Sequence, residues 1–460
     1  MGGRAVPLLV GVLSALAALV GIDARATYGA RVSGDEPQYL LTATSIGEDG
    51  SLDIADEIAD RRYRPYHEID LDPQTVVLDT SGRQVSPHDA LLPAVLAVPM
   101  RVGGWPAAKA MLALIAGVCA AITTWVAIRR VDLPSQPAAI GVAAAFVGIP
   151  LAAYGSQVYP EMPAALAVVT AVALLTSPAP TWRHDVGVLA ALVALPWLAV
   201  KYAPVVAVLG IALLFRHRHD TRRIAVLTGG AVVTALVYLG AHHAWYGGWT
   251  VYASGDHFAE TGELAVVGTK VNLLGRSRRL AGLLVDRDFG IAAWSPVWLI
   301  APFGLGLLTA RRWPGRWLVP AVIVAGWLTA TFVALTMHGF WVPGRQIVVV
   351  LPLAALGLAA VAARSARWAA ATAALGAVGL VTWCWLAIES STGRRTLIFD
   401  FASTAAWPYR GIRPLLPSGL DPTGADVALL AAWSVIALGT VWLGWSRGSL
   451  GSGRERRIWA

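Results

Sequence analysis

The sequence predicts an all-α polytopic membrane protein, a bundle of about 12 transmembrane helices with extracytoplasmic loops. Of its 460 residues, 56% are hydrophobic and only 14% are charged, and the mean hydropathy is +0.60. An average soluble protein carries roughly 25% charged residues, so this composition excludes an ordinary soluble domain. The net charge of +8 comes from basic residues dispersed between apolar segments. That distribution indicates control of membrane topology and argues against a nucleic-acid partner.

Apolar segments recur along the whole chain and are the candidates for membrane helices. They are 5–24, 106–128, 137–153, 163–178, 186–201, 203–215, 224–242, 291–309, 317–337, 346–363, 369–388 and 426–445. The predicted helices form four groups: the first within 1–24, the second to seventh within 106–242, the eighth to eleventh within 291–388 and the last at 426–445. Three outer loops separate these groups, namely 25–105 with the Asp35-Glu36 pair and interfacial helices, 243–290 and 389–425. A basic tail, 446–460, follows the last helix. The first segment also resembles a cleavable secretory signal ending near Ala24-Arg25-Ala26. We favour a retained anchor because the apolar run is long and many spans follow.

Basic residues alternate along the chain as the positive-inside rule requires. With a cytoplasmic N-terminus, the inner loops carry paired arginines at 129–130 and 311–312 and the basic run 216–223, whereas short outer loops hold little beyond Lys201 and Arg345. We therefore predict that both termini are cytoplasmic and that the long loops face outside. Abundant Ala, Val, Gly and Arg with a single Asn indicate a GC-rich bacterial genome, and hence a bacterial plasma membrane.

Two adjacent carboxylates, Asp35 and Glu36, follow the first apolar segment directly. Sugar transfer to a hydroxyl needs a base for the acceptor proton, and a carboxylate can serve. The second acid could hold a divalent metal ion or shift the pKa of the first. The alternative is a solvated turn before a helix, with Pro37 as an early helical residue.

A third acid, Glu161, lies in the short outer loop Tyr159-Pro160-Glu161. A carboxylate confined between two apolar helices must face water, a cation or a substrate. We predict a catalytic role, or a metal site shared with Glu36. The alternative is a helix N-terminal acid favoured by the helix dipole.

Further candidates for substrate contacts lie on the same predicted side. His88 and Asp89 could orient an acceptor, although a polar cap before an apolar stretch explains them equally simply. Lys201, Tyr202 and Arg345 lie at outer ends of spans, where a lipid phosphate would sit, and Arg and Lys both bind phosphate. Snorkelling of the two basic side chains toward head groups is the alternative.

Several common motifs of nucleotide-binding and hydrolytic enzymes are missing from the sequence. It has no Walker loop, no GxGxxG after a strand and no HExxH. It also has no soluble domain large enough to bind a nucleotide sugar. A glycosyltransferase of this design would therefore take a lipid-linked donor.

Taken together, these stretches resemble the GT-C superfamily of integral-membrane glycosyltransferases, especially its protein O-mannosyltransferase and aminoarabinose-transferase-like branch. The resemblance spans about 5–365 and is carried by four stretches: Gly34-Asp35-Glu36-Pro37-Gln38-Tyr39-Leu40, Tyr159-Pro160-Glu161, Asp288-Phe289-Gly290 with Ser295-Pro296, and Pro343-Gly344-Arg345. The chain departs from the family in lacking a clear large C-terminal periplasmic domain, which leaves the acceptor open.

The resemblance implies an inverting hexosyl- or pentosyltransferase with an outward-facing active site. Its donor would be a polyprenyl-phosphate-sugar, and its acceptor an envelope glycan, lipid or protein. Asp35 would be the base, Glu36 its support or a metal ligand, Glu161 the second acid and Arg345 a phosphate contact, with Tyr39 near the substrate. A transporter or flippase of a lipid-linked intermediate and a non-catalytic scaffold of an envelope-synthesis complex are the alternatives.

Overall fold

The computed structural model describes residues 5–260, 262–263, 267–268 and 270–450, and its regular structure is helical. The α-helices, in chain order from α1 to α19, are Ala5–Leu19, Glu36–Asp49, Ala55–Ala59, Leu91–Arg129, Ser135–Phe146, Leu151–Tyr154, Glu161–Leu175, Trp182–Leu198, Ala203–Arg216, Thr221–Tyr246, Leu273–Ser277, Arg279–Val285, Ile291–Trp294, Ala301–Ala310, Leu318–Leu328, Leu351–Ala362, Ala366–Ser391, Trp407–Ile412 and Gly424–Leu450. This confirms the predicted all-α class.

Within the described residues, five helices are long and apolar enough to cross a membrane alone. They are Leu91–Arg129, Thr221–Ser254, Arg345–Ala362, Ala366–Ser391 and Gly424–Ser449. Shorter apolar helices account for several of the other predicted spans, so the total of twelve stays a prediction. The predicted basic tail 446–460 begins inside α19, and its residues 451–460 lie outside the described residues, as do 1–4.

Helix α4 contains the break that the sequence predicts between residues 100 and 106. We expected an interfacial stretch at 91–100 and a separate span from 106, and the helical run from Leu91 to Arg129 consists of two helices that meet at a kink. Gly103 and Gly104, at the kink, have non-helical backbone angles, and Gly104 has a positive φ of 64° that glycine adopts readily. The bounds 25–105 of the predicted loop before this span stay a prediction.

Several predicted spans are interrupted helices. The segment 137–153 is divided into α5 and α6, and 346–363 begins with the 3₁₀ turn Arg345–Val350 before α16. The predicted spans 186–201 and 203–215 are α8 and α9, with a 3₁₀ turn at Val200–Tyr202 between them. Non-helical backbone at membrane depth is tolerated where it is buried in protein or lines a cavity. Both 3₁₀ turns carry basic side chains of the candidate site.

The loop before α4 and the segment after α10 pack on each other. A small core of Val85, Tyr246 and Val251 joins them, and an isolated bridge pairs Thr75 with Gly255. Helix α2 packs on α4. The start of α2 is held separately, because Val158 N before α7 donates to the Glu36 side chain.

Candidate active site

Arg345 lies at the centre of the candidate site, where it joins two carboxylates from distant parts of the chain. Its Nη2 donates to Asp35 Oδ2 at 2.6 Å, and its Nε donates to Glu161 Oε1 at 3.0 Å. The guanidinium carbon is 3.9 Å from the ring centroid of Tyr159, a cation–π contact. Only 9% of the Arg345 side chain is exposed. The three predicted site residues therefore form one cluster, not three separate surface features.

A glycine with left-handed backbone angles precedes each residue of the Asp35–Arg345 ion pair. Gly34 has φ +59° and Gly344 has φ +86°, a region that other residues rarely adopt. A Cβ on Gly344 would also lie 2.7 Å from Ile291 Cγ2. The sharp turn at each glycine delivers the following side chain into the cluster. This is a structural reason for the Gly-Asp and Gly-Arg dipeptides.

Lys201 supplies the second positive charge. Its Nζ donates to Glu161 Oε1 at 2.8 Å, so this oxygen accepts from both Lys201 and Arg345. The Lys201 side chain is 26% exposed, whereas that of Glu161 is 1% exposed. Glu161 Oε2 is buried and has no hydrogen-bond partner among the described residues. Glu161 thus orients two cations, and one of them reaches open space.

Glu36 faces away from this cluster and is held by backbone groups. Val158 N donates to its Oε1 at 2.7 Å, and Ser33 N donates to its Oε2 at 3.0 Å. Burial raises the pKa of Glu36, against the opposing charge of Lys109. The side chain fastens the start of α2 to the segment before α7. Glu36 therefore positions Asp35, and this geometry lends no support to its predicted catalytic role.

The predicted metal pair also finds no support in the contacts. Both Glu36 oxygens are engaged by backbone donors, and Glu161 Oε1 is shared by two cations. Within the described ranges, a group of three residues with metal-ligating atoms close together occurs elsewhere, at Asp49, Asp56 and Glu57. Glu161 Oε2 has no partner among the described residues. A metal ion at Glu36 and Glu161 stays a prediction, and no step below uses one.

His88 and Tyr39 complete the outer side of Asp35. His88 Nε2 lies 3.8 Å from Asp35 Oδ1, and its Nδ1 is 2.7 Å from Ser86 Oγ. The Tyr39 ring centroid lies 4.5 Å from that of His88. Both predicted contacts are thus close to Asp35. Tyr39 lies one helical turn after it on α2, and His88 faces it from the loop before α4.

Asp89 is directed elsewhere. It accepts from Tyr238 at 3.1 Å, and His242 Nε2 lies 3.0 Å from the same oxygen. All three residues are buried. Asp89 therefore anchors the loop before α4 to α10, and the structure does not bring it to Asp35.

A cavity of about 410 Å³ opens beside the two cations. Lys201, Tyr202, Trp341 and Arg345 line its polar end, and the remainder is mostly apolar surface from α9, α15 and the Arg345–Val350 turn. Tyr202 is itself buried, and its hydroxyl has no partner among the described residues. Such a cavity matches an amphiphile with an anionic head and an apolar tail.

A second groove, of about 640 Å³, lies between α4, α8 and α10. Leu91, Val193, Trp197 and Trp245 are among its lining residues, which are almost all apolar. Neither Asp35 nor His88 lines this groove, so it is separate from the carboxylate cluster.

The charge balance keeps Asp35 ionised. Burial opposes ionisation, but the Arg345 guanidinium and His88 outweigh it and hold the pKa of Asp35 well below its usual range. A carboxylate in this state is a weak base. Its basicity would rise if Arg345 were drawn toward another anion.

Sequence reasoning missed several residues that shape the cluster. Tyr159 stacks on Arg345 and donates to Ser33 O at 3.2 Å, and the Trp341 ring lies 5.2 Å from the guanidinium. Gln38 and Gln157, on the segments that carry Asp35 and Glu161, have buried amides without partners among the described residues. Polar side chains within otherwise apolar segments were the available signal for these two glutamines.

No protein-family model matches the chain, and no curated protein matches it. Among solved structures, it is similar to ArnT from Cupriavidus metallidurans. The structure of ArnT bound to undecaprenyl phosphate aligns with a TM-score of 0.54 at 15% identity, over 96% of this chain and 77% of that chain. The apo ArnT structure aligns with a TM-score of 0.52 at 14% identity and the same coverage. At this identity the likeness shows an ArnT-like fold.

Proposed function

We propose that this protein is an inverting GT-C-type glycosyltransferase that takes a sugar from a polyprenyl-phosphate-linked donor. The acceptor is an envelope glycan, lipid or protein on the outer side of a bacterial plasma membrane. The observation that carries the proposal is the contact of one buried guanidinium with Asp35 and Glu161 beside an apolar cavity. The ArnT-like fold supports the same class of enzyme.

The donor is assigned to the cavity that Lys201 and Arg345 border. Its polyprenyl tail would occupy the apolar part, and its phosphate would meet the two cations at the polar end. Arg binds a phosphate through two parallel hydrogen bonds and Lys through a point charge. Lys201 has the exposed fraction needed to reach a ligand, and Glu161 holds both cations on the same side.

Donor binding would also prepare the base. A phosphate that recruits Arg345 competes with Asp35 for the same guanidinium, so the Asp35 carboxylate loses the contact that suppresses its basicity. It can then accept the proton of the acceptor hydroxyl. The acceptor oxygen forms a bond to the anomeric carbon as the bond from that carbon to the phosphate oxygen breaks, and polyprenyl phosphate leaves with the electron pair.

The acceptor would approach from the His88 side. His88 lies against the Asp35 oxygen that Arg345 does not contact. Tyr39 packs on His88 and would hold its ring in place.

The proposal is tested by complementing cells that lack the gene with wild-type protein or Asp35→Asn. Mass spectrometry of envelope glycans, lipids and proteins should find one glycosylated species with the wild type and none with the variant at equal protein level. The same species with Asp35→Asn would refute the assigned base. Movement of a lipid-linked sugar by reconstituted protein without any transfer product would favour a flippase instead.

A further inference from the structure

A group of acids lies at the opposite end of α2 from Asp35. Asp49 is the last residue of α2, and Asp56 and Glu57 lie in the first turn of α3. One carboxylate oxygen from each of the three residues lies within 4.8 Å of the others. Helix α2 has 14 residues, so about 21 Å separate this group from the candidate active site. The group is therefore distinct from the donor site.

Glu57 is the member that distinguishes this group from a solvated acidic surface. The residue is only 3% exposed, and its Oε2 is buried with no hydrogen-bond partner among the described residues. The hydroxyl of Tyr66, which interacts electrostatically with Glu57, is also buried and has no hydrogen-bond partner among the described residues. A buried carboxylate without a partner is destabilising, and such groups are normally paired or bound to a metal ion.

Basic side chains nearby are engaged with other acids. Arg62 donates to Glu48 at 2.6 Å. Among the described residues, no lysine or arginine forms an ion pair with Asp49, Asp56 or Glu57. Asp49 also lies at the carboxyl end of α2, where the helix dipole disfavours an acid and favours a cation. A bound cation would therefore compensate the negative charge of these three acids.

We propose that Asp49, Asp56 and Glu57 form a Ca²⁺ site that joins the end of α2 to α3. Three carboxylates supply hard oxygen ligands, and Asp49 and Asp56 are exposed enough for water to complete the 6–8 ligands that Ca²⁺ takes. The open side and the flexible carboxylates suit Ca²⁺ better than Mg²⁺, which demands near-ideal octahedral geometry. Bound calcium would compensate Glu57 and fix the loop 50–54.

Calcium binding to the full-length protein in detergent tests the site directly. Equilibrium dialysis with radioactive CaCl₂ should find one Ca²⁺ per chain, with a dissociation constant of about 0.1–1 mM, as in extracellular modules. Glu57→Gln should weaken binding at least about tenfold, since it removes a charged ligand. Asp60→Asn removes an acid directly after α3 that is outside the group, and it should change the affinity less than about twofold.

Thermal unfolding provides a second readout that a purely structural role of Glu57 would not produce. Calcium at 5–10 times its dissociation constant should raise the Tm of the wild type by about 1–1.5 °C. Glu57→Gln should lose this rise, yet be at least as stable as the wild type in chelator, because it removes an uncompensated buried carboxylate. Absence of saturable binding up to about 10 mM, or equal binding by Glu57→Gln, would overturn the proposal. Neither result depends on glycosyl transfer.

Discussion

Substitution of Lys201 by methionine should weaken the binding of undecaprenyl phosphate. Methionine keeps the length and apolar stem of the side chain but removes the charge. In the wild type, Lys201 Nζ lies 2.8 Å from Glu161 Oε1 and borders the cavity assigned to the donor. A bound phosphate would share this ammonium with Glu161.

The size of the effect follows from the exposure of the ammonium. A hydrogen bond to a charged group contributes about 1.5–3 kcal/mol, and each 1.4 kcal/mol is a tenfold change in affinity. Lys201 is 26% exposed, so solvent screening places the effect at the lower end of that range. We therefore expect the affinity of Lys201→Met to fall by roughly tenfold.

Native mass spectrometry of the detergent-solubilised protein, titrated with undecaprenyl phosphate, measures this affinity. The matched control is Lys270→Met, which removes an exposed lysine from the loop 243–290. This control should bind within about twofold of the wild type. Equal affinity of Lys201→Met and wild type, or an equal loss in both variants, would refute the assignment of the phosphate to Lys201.

Three further predictions concern the carboxylate cluster. Arg345→Lys should reduce formation of the glycosylated product by about ten- to a hundredfold, because one ammonium cannot reproduce the two contacts of the guanidinium; unchanged product would contradict its central position. Glu36→Gln should lower the free energy of unfolding by about 1–3 kcal/mol, since an amide nitrogen cannot accept a backbone N–H; thermal unfolding in detergent measures this, and unchanged stability would show that the contacts do not hold α2. The depressed pKa of Asp35 stabilises the fold above the usual carboxyl pKa of about 4, and this contribution is lost as the pH falls below it. Asp35→Asn should therefore flatten the pH dependence of the Tm between about pH 5 and 3, and parallel curves for both proteins would contradict the ion pair.

Much of the fold could be predicted because apolar runs in a membrane protein have few alternatives to helices. The division between α8 and α9 at Lys201 was visible as a polar interruption. The break in α4 was visible as well, because the pair Gly103-Gly104 lies between Pro99 and Pro106 and both glycines have non-helical backbone angles. Local composition therefore identified both breaks.

The members of the site could be named from the sequence, but their partners could not. Asp35 and Arg345 are 310 positions apart, and only the tertiary fold joins them. The sequence predicted Asp35 as the base and Glu36 as its support or a metal ligand, but it did not show that Asp35 contacts a guanidinium and Glu36 two backbone donors. Asp89 was predicted to orient an acceptor together with His88 because the two are neighbours in the sequence. Its partner in the structure is instead His242, a buried histidine on α10.

The most direct measurement of the central claim is an electron cryomicroscopy structure of the protein with undecaprenyl phosphate. We expect the phosphate within hydrogen-bond distance of Lys201 and Arg345, the polyprenyl chain in the apolar cavity beside them, and Asp35 Oδ2 released from the guanidinium. A phosphate bound elsewhere, with the 2.6 Å contact between Arg345 and Asp35 intact, would contradict the account.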